Sequence, residues 1–116
     1  MSDIAIYHNP RCSKSRQTLA LLEENGVKAD VIEYLKTPPT VDSLTTIISQ
    51  LGIPARQLLR KGEAIYKELN LKDETLSDEQ LIQAMCDNPK LIERPIVIKN
   101  GKAKIGRPPE SVLEIL

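Results

Sequence analysis

The apolar run Ile4-Ala5-Ile6-Tyr7 stops at Asn9-Pro10, the pattern of a buried strand that runs into a turn. From Ser13 onward the apolar residues recur at helical spacing through Leu19 and Leu22, and Asn25-Gly26 closes that pattern as a helix C-terminus. Ala29 to Leu35 then reads as a second strand, stopped by Thr37-Pro38-Pro39. A strand, a helix and a strand in this order make a crossover unit, which is generally right-handed with parallel strands.

The middle of the chain is helical. Val41, Leu44, Ile47, Ile48 and Leu51 mark one helix face that ends at Gly52, and Pro54 suits the first turn of a short helix through Leu59. Ser77 and Gln80 have capping-box spacing ahead of Leu81, Ile82 and Met85, in a helix that stops at Asn88-Pro89. Pro95 to Lys99 is strand-like, and Asn100-Gly101 is the two-residue signal of a tight hairpin whose return strand is Lys102 to Ile105. Pro108-Pro109 opens a last helix through Val112, Leu113 and Leu116. The order β-α-β, helical insertion, β-β-α predicts an α/β fold with one mixed sheet on the thioredoxin-like plan. The expected organisation is a single domain over 1–116, with the insertion at about 40–92.

Composition narrows the function. The chain has 116 residues, 41% of them apolar, with no Trp, no Phe and three Tyr, so an aliphatic core is expected. Sixteen basic residues balance sixteen acidic ones. That balance, with so few aromatics for base stacking, argues against nucleic acid as a partner. One histidine and two cysteines fall short of a four-ligand zinc site, and no metal is expected. The N-terminal stretch lacks the pattern of an export signal, and no window approaches the ~18 apolar residues of a membrane helix. With cysteine this scarce, a reducing compartment is expected, most simply the cytoplasm, with no membrane attachment and a monomeric state.

One of those cysteines is oddly placed. Cys12 lies in Tyr7-His8-Asn9-Pro10-Arg11-Cys12-Ser13-Lys14-Ser15-Arg16, where a strand turns into a helix among polar and cationic neighbours. Peptide N–H groups in a first helical turn lack intrahelical partners and favour negative charge. The thiolate is the nucleophilic form of cysteine. Arg11, Lys14, Arg16 and His8 strengthen the same bias, so the loop reads as an anion site with a nucleophile in its floor. His8 either tunes the thiol or only shapes the turn. The residue three after Cys12 is Ser15, so there is no adjacent resolving thiol, and the residue six after is Thr18, which excludes the C-x5-R loop of phosphatase-type sites. Cys86, at the edge of an apolar helix face, is expected to be a packed small side chain.

The loop His8 to Arg16 resembles that of the glutathione- and glutaredoxin-linked arsenate reductases. The similarity continues through Tyr34-Leu35, Pro38-Pro39, Leu58-Leu59-Arg60-Lys61, Ile92-Glu93-Arg94-Pro95-Ile96-Val97 and Gly106-Arg107-Pro108, so that it covers essentially the whole chain. The resemblance implies that Cys12 attacks arsenate or a similar oxyanion, and that Arg60, Arg94 and Arg107, together with Ser15, bind the anion and its thiol adduct. Guanidinium groups suit that role, because they are forked, permanently charged donors. It implies glutathione as co-substrate with no bound cofactor, glutaredoxin as a protein partner, and a cis peptide before Pro95. Ser13-Lys14 stands where well-known members have Gly-Thr, and the sequence ends at Leu116 where some members continue, features of a shorter branch. Two other readings of this fold stay open here. A redox-sensing interaction protein would use a C-x-x-C pair, against which Ser15 counts. A thiol-exchange protein acting on mixed disulfides would have no need of three arginines.

Overall fold

The computed structural model describes residues 4–116 and divides them into two compact units. One is discontinuous, made of the chain up to Thr37 together with Arg94–Leu116; the other is the segment Pro38–Glu93 between them.

The discontinuous unit is built on a four-stranded sheet. Its strands are β1 (Ile4–Tyr7), β2 (Asp30–Ile32), β3 (Ile96–Lys99) and β4 (Lys102–Ile105), in the spatial order β2-β1-β3-β4. β1 and β2 are parallel, with Ile6 opposite Val31, and the helix α1 (Ser13–Glu24) connects them. β3 is antiparallel to β1, with Ile6 opposite Val97, and β4 is antiparallel to β3. The sheet is therefore mixed, as the pattern predicts. Asn100 (φ 48°) and Gly101 (φ 80°) both adopt the left-handed backbone that a two-residue type I′ turn needs, which fixes the pairing of Lys99 with Lys102.

Ile4 and Ile6 lie two apart on β1 and share one face. That face packs with Leu22 of α1, Val97 of β3 and Val112, with Leu19, Val27 and Ile115 around them. The cluster is aliphatic, as composition implies, although Tyr7, Tyr34 and Tyr66 are also buried.

Three elements differ from the sequence pattern. The second strand ends at Ile32, because the Glu33 carbonyl accepts from both Lys36 N–H and Thr37 N–H and turns the chain, burying Tyr34. The last helix is a 3₁₀ stretch, Pro109–Ile115. At three residues per turn, Val112 and Ile115 fall on one line and both reach the core cluster. A short helix at Ala64–Glu68 was not foreseen, since five residues give too little periodicity to read.

The inserted unit is helical: α2 (Val41–Leu51), α3 (Ala55–Leu58), α4 (Ala64–Glu68) and α5 (Asp78–Asp87), followed by a 3₁₀ turn at Pro89–Leu91. α2 and α3 both pack on α5, whose Leu81, Ile82 and Met85 are buried. Ser77 Oγ accepts from Gln80 N–H while Gln80 Oε1 accepts from Ser77 N–H, the reciprocal box that the spacing predicts. Gly52 ends α2 in the left-handed region at φ 69°.

Among the glycines, Gly106, just past β4, is the one with no room for a side chain. A Cβ there would sit 2.5 Å from Thr18 Oγ1 on α1 and 2.8 Å from Pro95 Cγ. Gly106→Ala is expected to destabilise the fold by about 1–3 kcal/mol, the usual range for forcing extra atoms into a packed site. Gly62→Ala, where a Cβ meets nothing within 4 Å, is expected to be nearly neutral. Urea unfolding of the two variants beside the parent protein checks both.

Candidate active site

The loop between β1 and α1 follows from its residue types. Asn9-Pro10-Arg11-Cys12 forms a turn in which Asn9 C=O accepts from Cys12 N–H at 3.0 Å. Proline in the second position fixes φ, and asparagine in the first accepts from Arg11 N–H through Oδ1 at 3.0 Å. Cys12 then stands at the N-cap of α1 with extended backbone (φ −94°, ψ 123°), and its carbonyl accepts the first helical hydrogen bond, from Arg16 N–H. Its sulfur makes no capping bond. The side chain is only 8% exposed despite its polar neighbours, so the loop folds around the thiol instead of displaying it.

Ser15, one turn into α1 and fully buried, ties helix to loop. Its Oγ accepts from Asn9 N–H at 3.0 Å and lies 2.6 Å from His8 Nδ1. With one lone pair engaged by Asn9, the hydroxyl proton is available to Nδ1, an arrangement that favours the ring proton on Nε2. His8 is itself buried, and its backbone N–H donates to Ile32 C=O on β2. Burial pushes the His8 imidazole below its ordinary value of 6.5; Glu33 opposes that shift and Arg16 adds to it.

Arg107, directly after the glycine contact, reaches the thiol. Its Nη2 lies 3.6 Å from Cys12 Sγ, and its Nε donates to Arg94 C=O at 2.8 Å. The guanidinium is thereby aimed by the backbone of a second arginine. Arg94 Nε and Nη1 are themselves buried, and Arg94 precedes Pro95 through a cis peptide, as the resemblance implies. Arg107-Pro108 is a second cis bond, which was not foreseen. Cys12, His8, Ser15, Arg94 and Arg107 all belong to the discontinuous unit. Arg60 belongs to the inserted unit, where its guanidinium meets Glu63 at 2.6 Å and Glu93 at 3.9 Å.

Sequence reasoning used Thr18 only to exclude a phosphatase-type loop and Gly106 only as part of a motif, and gave neither a packing role. Thr18 is fully buried, its hydroxyl donates to Lys14 C=O at 2.8 Å, and it is what Gly106 packs against. A glycine directly before a candidate arginine was the available signal. Cys86 is only partly buried, whereas a packed side chain was expected. Burial and, secondarily, Asp87 push its thiol upward, away from the reactive form at neutral pH. Among the described residues no group of three or more His, Cys, Asp or Glu side chains could hold a metal ion, and no helix is long and apolar enough to cross a membrane.

A mixed sheet with a cysteine at its first strand-to-helix turn, a cis proline opening its third strand and an arginine on the sulfur defines a thioredoxin-like thiol site. The comparisons place it more closely. The chain belongs to the ArsC family, whose model matches residues 7–115. It is 62% identical to a protein of Escherichia coli strain K12 named as the uncharacterized protein YfgD, over 97% of this chain and 96% of that one. It is 49% identical to an arsenate reductase of Neisseria meningitidis (strain MC58) over the full length of both. Among solved structures, an arsenate reductase from Vibrio cholerae is 58% identical and superposes with a TM-score of 0.96, covering 97% of each chain.

The burial of His8 sets an expected pH dependence. Its folded value lies below 6.5, so the unfolded chain takes up the proton first as the pH falls. The contribution of His8 is present above about pH 6.5 and is lost as the pH drops toward the folded value. Urea midpoints measured at successive pH values below neutrality should decline in the parent and decline less in His8→Gln.

Proposed function

We propose that this protein reduces arsenate to arsenite through a covalent Cys12 intermediate that glutathione and then glutaredoxin resolve. The observation that carries the reading is the Arg107 guanidinium 3.6 Å from the Cys12 sulfur at the N-terminus of α1. A positive fork and a helix N-terminus together favour an oxyanion brought against the sulfur. The names of the Neisseria and Vibrio relatives support arsenate as that oxyanion.

In the first step the Cys12 thiolate attacks arsenic, an S–As bond forms, and one oxygen leaves as water after protonation. Arg107 and the N–H groups of the first turn hold the charged oxygens of the adduct, and Arg94 shares that role by the family resemblance. The thiolate of glutathione then attacks the Cys12 sulfur. The S–As electron pair stays on arsenic, which leaves as arsenite two electrons richer, and the two thiols are left as a mixed disulfide. Glutaredoxin restores Cys12 by thiol exchange. Ser15 cannot supply the second thiol, and its place is to hold His8 and Asn9 in the loop. Cys86 is disfavoured by its raised value.

Arsenate-dependent consumption of reducing equivalents, followed with glutathione and glutaredoxin present and then with each omitted, tests the reading. Activity should vanish without glutathione and in Cys12→Ser, and should survive nearly unchanged in Cys86→Ser. Arg107→Lys keeps the charge but loses the fork, and should cut kcat/KM about tenfold or more, equivalent to roughly 1.4 kcal/mol or above in transition-state stabilisation. Full turnover with thioredoxin alone, dependent on Cys86, would place the protein in a different mechanistic class.

A further inference from the structure

The inserted unit holds a second concentration of positive charge. A concavity of about 340 Å³ is lined by Lys61, Tyr66, Lys67, Asn70 and Lys72, with no acidic residue in its wall. None of the three lysines forms an ion pair among the described residues, whereas Lys36 and Lys104 do. Three like charges around one hollow repel one another, and that arrangement is relieved by an anion seated between them.

The hollow is shaped by the fold as well as by lysine side chains. Tyr66, on α4, is buried and forms one wall. Asn70 adopts φ 53°, a left-handed conformation that turns the chain back after α4, and Leu71 N–H donates to Tyr66 C=O to close that turn. Arg56 then fixes the return segment: its Nη1 donates to Leu71 C=O at 2.7 Å and its Nη2 to Asp73 C=O at 2.8 Å. These two bonds clamp the backbone on either side of Lys72. Two nearby carboxylates are engaged elsewhere, Glu63 by Arg60 at 2.6 Å and Asp73 by the N–H and hydroxyl of Thr75.

We infer that this pocket is a binding site for a small anion carrying at least two neighbouring negative charges, borne by phosphate or carboxylate groups. A single charge would leave two of the three lysines uncompensated, whereas two charges leave one. The volume, at the lower end for small-molecule sites, suits a compact ligand. Lys61, Lys67 and Lys72 supply the charge, and Tyr66 with the Asn70 side chain offers hydroxyl and amide partners at the wall. All five lining residues belong to the inserted unit, whereas Cys12 belongs to the other.

Pyrophosphate and citrate are suitable probes, titrated into the ¹⁵N-labelled protein at constant ionic strength set with sodium chloride. Either probe should shift the backbone amides of residues 61–72 with a saturable curve. Lys67→Gln should raise the dissociation constant about threefold and Lys67→Gln/Lys72→Gln about tenfold, with arsenate reduction unaltered in both. Thermal midpoints equal to the parent's establish that the variants are folded. The inference is overturned if neither probe moves these amides at millimolar concentration, if sodium chloride alone reproduces the shifts, or if the double variant binds as the parent does.

Discussion

The contact that the thiol site depends on is the one that has no side chain. Gly106 lets the end of β4 come against Thr18 of α1 and Pro95 at the start of β3, closer than a Cβ allows. Gly106 N–H donates to Pro95 C=O at 2.9 Å, which holds the two segments in that position. Arg107 follows immediately, so its reach to Cys12 is set by the packing of α1 against the hairpin. A residue far from Cys12 in sequence is thereby brought within ångströms of its sulfur.

The rest of the site is held in advance by short-range bonds. Pro10 and Asn9 make the turn, Ser15 joins the turn to the helix, and His8 is buried beside Ser15 with its backbone on β2. Little of the loop is left to order when an anion arrives, which is what a site acting through fixed dipoles and charges requires. A buried thiol is an apparent difficulty for a nucleophile. At 8% exposure Cys12 is largely covered, and the Arg107 guanidinium lies 3.6 Å from its sulfur.

Much of this was legible in the sequence. The β1 run, the α2 stripe, the capping box of α5 and the Asn100-Gly101 hairpin are local signals, and each formed where its residues placed it. The turn before Cys12 was also legible, because asparagine and proline stop the β1 run there; that Ser15 ties this turn to α1 was not. What escaped depends on distant partners. Thr18 is an ordinary helical threonine until Gly106 lies against it, and the early end of β2 follows from a turn at Glu33 that no periodicity announces. The role of Arg107 rested on motif resemblance, since an exposed arginine carries no sign of what it faces.

The central claim is that Cys12 and Arg107 together form a site that draws anions to a nucleophile. The most direct measurement compares alkylation of Cys12 by iodoacetate and by iodoacetamide, reagents alike in mechanism and different in charge, in a Cys86→Ser background. The account predicts a rate ratio that favours the anionic reagent well beyond the ratio for free glutathione, and its collapse toward that value in Arg107→Ala. A ratio at or below that of glutathione in the parent protein would contradict it.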